Sequence, residues 1–215
     1  MRHFRISCLI VLAFVLGACQ SLTPNPQLSQ NSSRLQGTLT HNGENWLFKT
    51  CDTDDIYTME TSAELNDEFK NLLVEAPHGL FADLSGDIDT QHKRFNVSQR
   101  YRVQTEGYNC NDPDFARLLL RASGNEPFWS ILQTPRGLIF NQIDQPTIAL
   151  PYIEEQLPDG RFHISTQANK QNLQLWITPQ RCTDSMSGSV YHLNTQLQWN
   201  QQTLQGCAAY GALRD

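Results

Sequence analysis

The sequence predicts a mainly β protein with two small β-rich domains: an OB-like barrel with one helix, followed by an antiparallel β-barrel or sandwich. The first observation behind this fold class is that runs of β-forming residues recur along the chain, with turn-forming residues between them about every ten residues. The second is that the chain contains no Gly-x-Gly-x-x-Gly fingerprint, no Walker A loop and no alternation of strands with helices. A nucleotide-binding α/β fold therefore has little support.

The beginning of the chain predicts the cellular location of the protein. A basic segment, residues 1–5, precedes an apolar run over residues 6–15 that is too short to span a bilayer. Leu16-Gly17-Ala18-Cys19 follows directly and has the pattern of a bacterial lipobox. We therefore expect a lipoprotein signal peptide over residues 1–18 and a mature chain whose Cys19 carries a diacylglycerol group and an N-linked acyl chain such as palmitate. An ordinary cleaved signal peptide with a chance cysteine is the alternative.

The segment after the lipobox predicts how the protein is held in the cell envelope. Two or three acyl chains anchor a protein stably, because each buried CH₂ contributes about 0.8 kcal/mol. Gln20 and Ser21 follow Cys19. The resemblance to enterobacterial sorting signals, in which an Asp at this place retains a lipoprotein in the inner membrane, implies the periplasmic face of the outer membrane. Residues 19–34 are rich in Ser, Asn, Gln and Pro and predict a flexible tether.

The charge of the chain restricts its partners. The formal net charge is −6, and removal of the signal peptide takes away two arginines and no acidic residue, which leaves −8. Nucleic acid is therefore not an expected partner, because its phosphates require basic surfaces. An acidic protein could attract a basic partner. The expected partners are the membrane, through the lipid anchor, and an envelope protein.

Residues 35–112 have the order expected of an OB-like domain: strand, strand, strand, helix, strand, strand. Asn42-Gly43 lies between the first two β-forming runs and is a strong β-hairpin signal. Ser62 has the position of an N-cap, and apolar residues then recur at helical spacing from Leu65 until Pro77 ends the pattern. The predicted strands cover residues 35–40, 45–51, 55–60, 80–86, 95–98 and 101–104.

Residues 113–215 predict an antiparallel β-barrel or sandwich that is organised around the stretch 123–130. Gly124 and Asn125 tolerate positive φ and Pro127 fixes φ, so a turn is expected before a strand that begins at Phe128. Thr134-Pro135-Arg136-Gly137 predicts the next reversal. The predicted strands of this domain cover residues 115–122, 128–133, 138–141, 147–153, 160–167, 172–178, 189–198 and 203–207.

Four cysteines remain when the signal peptide and Cys19 are set aside. In an oxidising compartment they are expected to form disulfide bonds, and three pairings are possible. We predict Cys51–Cys110 and Cys182–Cys207, because each pair then lies within one predicted domain. Closing loops of these lengths stabilises the folded chain by about 3–4 kcal/mol per bond in the chain-entropy model.

The stretch Asn125-Glu126-Pro127-Phe128-Trp129 is the first candidate binding site. As a structural element, its aromatic residues would close the end of a barrel and its carboxylate would cap backbone N–H groups. As a binding site, Asn125, Glu126, Phe128 and Trp129 would contact a ligand or partner, since aromatic surface beside a carboxylate is a common recognition pair. Both interpretations remain open at the level of the sequence.

The segment with Asp184, Ser187 and Tyr191 is the second candidate. A Ser beside an Asp suggests a nucleophile, but no Gly-x-Ser-x-Gly motif is present and no His is placed to activate a hydroxyl. We therefore expect either a simple turn or an exposed loop, held by Cys182, that presents these three residues to a partner. The histidines are scattered without ligand spacing, so the sequence predicts no enzyme activity, no metal site and no cofactor beyond the lipid.

Three motifs resemble a family of bacterial envelope lipoproteins with a small β-domain. They are the stretch 125–129, the segment from Cys182 to Tyr191, and Leu204-Gln205-Gly206-Cys207-Ala208, and together they cover roughly residues 115–210. The family implies no established reaction. Residues 37–57 are similar in pattern to the OB-type domain of copper-homeostasis and envelope-stress lipoproteins of the NlpE type, but the copper-linked Cys-x-x-Cys of that protein does not occur here.

These resemblances imply a non-enzymatic binding or structural module in cell-envelope maintenance or stress response. Ser187-Gly188-Ser189-Val190-Tyr191 is also similar to the Ser-Gly-x-x-Tyr segment of membrane-bound inhibitors of c-type lysozyme, which are small lipoprotein β-barrels with disulfide-bonded loops. This similarity implies an alternative function, inhibition of a c-type lysozyme or another envelope-directed hydrolase, with a basic lysozyme as the partner. Those inhibitors also use a lysine, and no lysine follows Tyr191 here.

The lipobox predicts the effect of Cys19→Ser. The variant lacks the thiol that accepts diacylglycerol, so we expect unacylated protein that no longer incorporates labelled palmitate. Metabolic labelling followed by immunoprecipitation measures the incorporation, and Ser21→Ala is the neighbouring control that keeps the label. A Cys19→Ser protein that still takes up label and fractionates with the outer membrane would show that the lipobox prediction is wrong.

Overall fold

A computed structural model describes residues 32–214 of the protein. The predicted signal peptide over residues 1–18, the lipid-bearing Cys19 and the predicted tether up to residue 31 lie outside the described residues. The described chain is mainly β, as the sequence predicts. Of its helices, none has the length and apolar character that crossing a membrane requires.

The first half of the described chain is a closed barrel of five strands with one helix. Its elements are β1 (Ser32–His41), β2 (Trp46–Thr50), β3 (Ile56–Glu60), α1 (Ala63–Glu75), β4 (Leu80–Asp89) and β5 (Arg94–Gln104). β1 pairs with β2 and β4, β2 pairs with β3, and β4 pairs with β5, all antiparallel. β3 then closes the ring by pairing in parallel with β5. This arrangement is the predicted OB-like barrel.

Local signals explain why these elements begin and end where they do. In the β1–β2 turn, Gly43 has a φ of +98°, and the Asn42 side chain accepts a hydrogen bond from the Asn45 N–H at 2.8 Å. The Ser62 hydroxyl caps α1 by accepting a hydrogen bond from the Leu65 N–H at 3.3 Å. The predicted hairpin and the predicted helix are both confirmed.

The second half of the chain is a curved antiparallel sheet, which we call the second barrel although its strands do not close into a ring within the described residues. Its strands are β6 (Leu120–Asn125), β7 (Phe128–Thr134), β8 (Gly137–Gln142), β9 (Ile148–Leu150), β10 (Ile153–Gln156), β11 (Phe162–Thr166), β12 (Leu173–Thr183), β13 (Val190–Trp199) and β14 (Gln202–Tyr210). Consecutive strands pair, except that no pairing joins β9 to β10 within the described residues, and β14 pairs back to β6. Because Leu150 of β9 and Phe162 of β11 share one hydrophobic cluster with β6, the sheet curves around that cluster.

Each barrel has its own hydrophobic cluster. The first cluster contains buried residues between Leu39 and Val103, and the second contains buried residues between Leu120 and Ala208. The described residues nevertheless belong to one compact unit, and β13 of the second barrel pairs with β5 of the first. The division of the chain into separate domains at residues 112 and 113 stays a prediction.

The Arg34 side chain joins the first strand to β4 through a buried ion pair and to the end of the chain through a hydrogen bond. The Arg34 guanidinium donates to the two carboxylate oxygens of Asp83 at 2.8 and 2.6 Å and to the Tyr210 carbonyl at 3.2 Å. Asp83 is completely buried. Removing one partner from a buried ion pair costs about 3–5 kcal/mol, because the remaining charge loses its compensation. The ion pair therefore fixes β1 against β4, and the hydrogen bond to the Tyr210 carbonyl holds β1 against β14.

Both predicted disulfide bonds are confirmed. Cys51, directly after β2, is bonded to Cys110, with 5.2 Å between the Cα atoms. Cys182 of β12 is bonded to Cys207 of β14, with 5.5 Å between the Cα atoms. Both separations lie within the ordinary range for disulfide bonds. Each bond therefore ties a loop or strand end within one barrel.

Two predictions about where strands begin are wrong. β1 starts at Ser32, so residues 32–34 of the predicted tether are part of a strand, because they pair with β4 and Arg34 finds an ion-pair partner there. Residues 115–117 form a short 3-10 helix instead of the start of a strand. The preceding turn sets up this helix, since the Phe115 N–H donates to the Asp112 carbonyl at 2.9 Å.

Four other predicted strands have different limits. The two predicted strands at 95–98 and 101–104 are a single strand, β5. The predicted strand at 147–153 is interrupted between β9 and β10 at Pro151, which has no N–H for the strand ladder. β12 extends beyond the predicted residue 178 to Thr183, through an irregularity between Pro179 and Cys182.

Candidate functional site

The turn between β6 and β7 carries the first predicted site. Asn125 ends β6 and lies directly opposite Phe128, which begins β7, so the chain reverses at Glu126 and Pro127. The peptide bond between these two residues is cis. Gly124 and Asn125 have the extended conformation of β6, so the prediction that they form the turn through positive φ is wrong.

Trp129 explains why glycine occupies position 124. The Trp129 side chain is completely buried, and a Cβ atom on Gly124 would overlap its Nε1 atom. A Cβ atom on Gly206 of β14 would likewise lie 2.8 Å from Cζ2 of the same ring. The indole N–H donates to the Gln205 carbonyl at 3.3 Å. The two glycines make room for the indole, which packs across β6 and β14, so Trp129 has the structural role that was one of its two interpretations.

The loop between β12 and β13 carries the second predicted site and is held by its own hydrogen bonds. Asp184 Oδ1 accepts hydrogen bonds from the N–H groups of Met186 and Ser187, at 3.0 and 2.8 Å, and from the Ser187 hydroxyl at 3.0 Å. The Gly188 N–H donates to the Asp184 carbonyl at 3.0 Å, and Gly188 has a φ of +70° that favours glycine. The loop is therefore an ordered turn built around one carboxylate.

The structure brings the two predicted sites together. The Asn125 side-chain amide donates to Asp184 Oδ2 at 2.8 Å across 59 residues of sequence. We call residues 125–128 together with residues 184–188 the loop pair. Burial raises the pKa of the Asp184 carboxyl, but hydrogen bonds from the Ser187 N–H, Asn125, the Ser187 hydroxyl and the Met186 N–H outweigh burial and hold the pKa below its ordinary value. Asp184 is therefore an anion at neutral pH that binds both segments.

The disulfide bond in the second barrel connects the loop pair to Trp129. Cys182 lies two residues before Asp184, and its partner Cys207 follows Gly206, against which the Trp129 indole packs. The positions of the two loops are therefore set by covalent and packing contacts beneath them, in addition to the Asn125 hydrogen bond. Such a surface loses little conformational freedom when it binds a partner.

Three exposed side chains of the loop pair are large or charged. Phe128 is 38% exposed and Met186 is 76% exposed, and Glu126, two residues before Phe128, is exposed as well. The Glu126 carboxylate accepts no hydrogen bond from any described residue, so no contact supports capping, which was one of its two interpretations. The sequence prediction does not include Met186, although a large apolar side chain in a polar loop is a signal that could have indicated it.

Ser187 and Tyr191 are less accessible than a presenting loop would require. Besides donating to Asp184, the Ser187 hydroxyl lies 2.9 Å from Ser189 Oγ and accepts the hydrogen bond of that hydroxyl. Tyr191 lies in β13 opposite Arg102 of β5, and burial raises the pKa of its hydroxyl. These two side chains organise the loop and the contact between the barrels, while Glu126, Phe128 and Met186 are the residues that a partner can reach.

The chemistry of the loop pair suits binding better than proton transfer. The group that contacts the Ser187 hydroxyl as a possible base is Asp184, and a carboxylate with a lowered pKa is a weak general base. Among residues 32–214, no three His, Cys, Asp or Glu side chains lie together in a way that could hold a metal ion. An exposed aromatic ring, a thioether and a carboxylate on a rigid base are, by contrast, groups found at the centres of protein interfaces.

Comparisons with known proteins leave the family of the chain open. No protein-family model matches the sequence, and no curated protein or solved structure is significantly similar to it. The resemblances to envelope lipoproteins and to lysozyme inhibitors therefore stay predictions. The function has to be derived from the loop pair and from the other surfaces of the described residues.

Substitutions of Trp129 and Phe128 form a matched pair that compares the loss of a buried ring with the loss of an exposed ring. Trp129→Ala removes a completely buried ring and leaves a cavity, so we expect the free energy of unfolding to fall by about 3–5 kcal/mol. Phe128→Ala removes a partly exposed ring from the adjacent position and should cost less than about 1 kcal/mol. Denaturant unfolding measures both values. Equal losses in the two variants would contradict the structural role assigned to Trp129.

Proposed function

We propose that the protein is a lipid-anchored lipoprotein on the periplasmic face of the outer membrane and acts as a non-enzymatic binding or structural module in maintenance or stress response of the cell envelope. The observation that carries the binding part of this proposal is the loop pair, where Asn125 and Asp184 hold two segments together beneath exposed apolar groups. The lipobox sequence ending at Cys19 supports the anchor.

The loop pair supports binding of another protein because it is ordered before contact. Asp184 and the disulfide bond at Cys182 fix the backbone, so a partner does not have to order these loops. Phe128 and Met186 provide apolar area for the centre of an interface, where a few large side chains contribute most of the binding energy. Glu126 has no hydrogen-bond partner among the described residues and is free to pair with an Arg or Lys of another protein.

The anchor and the tether would bring this surface to partners near the membrane. Thirteen residues, 19–31, separate the predicted lipid from the first described residue, and a fully extended chain of that length spans at most about 45 Å. The folded part could therefore contact proteins or peptidoglycan-bound complexes some distance from the membrane. We expect envelope proteins, and not nucleic acid, as partners of the acidic chain.

Inhibition of a c-type lysozyme is the alternative form of function that the sequence resemblance implies. The formal net charge of −6 and the unpaired Glu126 carboxylate favour a basic protein as the partner. Because Ser187 and Tyr191 are engaged inside the loop and the barrel, contact with a lysozyme would be made mainly by Glu126, Phe128 and Met186. Addition of the purified protein to a lysozyme lysis assay distinguishes this form from binding to another envelope protein.

The loop pair predicts which exposed apolar residues capture a partner. In Phe128→Ser/Met186→Ser, we expect partner recovery after crosslinking in cells to fall at least about tenfold, which corresponds to about 1.4 kcal/mol, with the melting temperature nearly unchanged. Val74→Ser/Ile143→Ser is the matched control, because these two side chains are 75% and 61% exposed and lie outside the loop pair. Quantitative mass spectrometry of the captured proteins measures the difference.

The control variant also defines the opposite outcome. If Phe128→Ser/Met186→Ser recovers the same proteins in the same amounts as the wild type, the loop pair is not the binding surface. If Val74→Ser/Ile143→Ser loses the partner instead, the binding surface lies on the helix side of the first barrel or on the β8–β9 loop. Both outcomes leave the lipid anchor untouched, because labelling at Cys19 tests it separately.

A further inference from the structure

An open apolar groove lies at the other end of the β6–β7 hairpin from the loop pair. Its volume is about 720 Å³, which is within the range of small-molecule binding sites. Most of its lining is apolar, and the principal contributors are Ala116, Leu138, Ile139, Ala149, Leu150 and Leu213. β7 extends from Phe128 to Thr134, so the groove is about 20 Å from the loop pair along the strand.

The groove contains exposed apolar surface that residues 32–214 leave uncovered. Leu213 is 49% exposed, and its N–H donates to the Leu118 carbonyl at 2.9 Å, which holds this C-terminal residue against one wall. Ala149 of β9 is exposed on the opposite strand of the lining. Leu138 and Leu150 are buried and belong to the hydrophobic core. The apolar lining therefore continues from the core of the second barrel out to solvent.

A cationic side chain lies at the edge of this apolar lining. Arg136 is exposed in the β7–β8 turn, and its guanidinium has no ion-pair or hydrogen-bond partner among the described residues. Arg117 also lines the groove, and its Nε donates to Asp114 Oδ1 at 2.7 Å. One guanidinium is thus partly neutralised and positioned by a carboxylate, while the other is available to an anion.

The turn that carries Arg136 is fixed before any ligand binds. The Thr134 hydroxyl donates to the Gly137 carbonyl at 3.0 Å and accepts from the Arg136 N–H at 3.2 Å. The Tyr152 hydroxyl donates to the Thr134 carbonyl at 3.2 Å. A Cβ atom on Gly137 would lie 2.8 Å from the Leu150 carbonyl oxygen, so glycine allows the turn to pack tightly against β9. Arg136 therefore extends from a rigid support.

We propose that this groove binds a single-chain anionic amphiphile, such as the carboxylate of a long-chain fatty acid. The apolar lining removes the acyl chain from water, which stabilises the complex in proportion to the buried area. The Arg136 guanidinium pairs with the carboxylate at the edge of the groove, and the Arg117 guanidinium lies on the same lining. The negative net charge of the protein makes other surfaces poor sites for such an anion, so local contact with the arginines decides where it binds.

This inference is independent of the proposed binding role of the loop pair. The groove and the loop pair lie at opposite ends of the same hairpin and share no residue. Loss of one activity with retention of the other is therefore measurable. Variants in the groove should leave partner recovery unchanged, and Phe128→Ser/Met186→Ser should leave amphiphile binding unchanged.

Photocrosslinking of the full chain tests the proposal. The purified protein is incubated with a palmitate analogue that bears a diazirine on its acyl chain, irradiated and digested with trypsin. We expect labelling on the peptide that contains residues 137–161, which includes the lining strands β8 and β9. Arg136→Glu removes one trypsin site, so its corresponding peptide spans residues 122–161. Labelling of that peptide should fall about tenfold, because the variant loses a charged hydrogen bond and introduces repulsion. Unlabelled palmitate should compete.

Two control variants make the result specific. Arg94→Glu changes the net charge by the same amount at an exposed position of β5 outside the groove, and its labelling should equal that of the wild type. Ala149→Trp fills the groove while it keeps both arginines, so it should also reduce labelling if the acyl chain occupies the groove. Melting temperatures and non-reducing gels verify that each variant is folded and disulfide-bonded.

Four results would overturn the proposal. Labelling confined to other peptides would place the amphiphile elsewhere. Equal labelling by the corresponding fatty alcohol analogue would show that the anionic group is not recognised. Stronger labelling by a two-chain phospholipid analogue would contradict a single-chain ligand. Labelling that occurs only in Cys19→Ser, which lacks the protein's own acyl chains, would show that these chains occupy the groove in the wild type.

Discussion

Burial of the Trp129 indole against two glycines is the constraint on which the second barrel and its candidate site depend. Gly124 and Gly206 belong to neighbouring strands, and no other residue type leaves room for the ring at either position. Gly206 precedes Cys207, whose disulfide bond leads to Cys182 and then to the loop of Asp184. Asp184 in turn binds the turn from which Trp129 starts. The packing of Trp129, the disulfide bond and the Asn125–Asp184 hydrogen bond thus form one connected set of contacts that supports the loop pair.

The same contacts explain why Trp129 has a structural role while the adjacent Phe128 is exposed to solvent. Trp129 is completely buried, whereas Phe128 is 38% exposed, because successive side chains of a strand point to opposite faces. The buried ring gives the turn its position, and the exposed ring is available to a partner. A loop that is ordered without its partner loses less conformational entropy on binding. The binding role proposed for the loop pair therefore rests on the rigidity that Trp129 and Asp184 provide.

Local sequence patterns predict the parts of this fold that are determined locally. The hairpin at Asn42-Gly43, the helix after Ser62 and the OB-like strand order all follow from turn residues, caps and periodicity. The contact between Asn125 and Asp184 does not, because it depends on how β12 and β14 bring distant segments together. Hydrophobic periodicity also does not predict the 3-10 helix that begins at Phe115, because a backbone turn at the preceding aspartates initiates this helix. Most candidate residues, though not Met186, were thus predictable one by one, and their arrangement was not.

Amide hydrogen exchange of residues 186–189 tests most directly whether the two loops form one rigid surface. Asn125→Ala removes the hydrogen bond to Asp184 Oδ2 while it leaves the bonds inside the loop in place. We expect faster amide exchange at residues 186–189 in this variant than in the wild type, and unchanged exchange in the β1–β2 turn at residues 42–45. Identical exchange at residues 186–189 in the two proteins would contradict the claim that the two loops form one rigid surface, because the hydrogen bonds inside the loop would then be enough to order it.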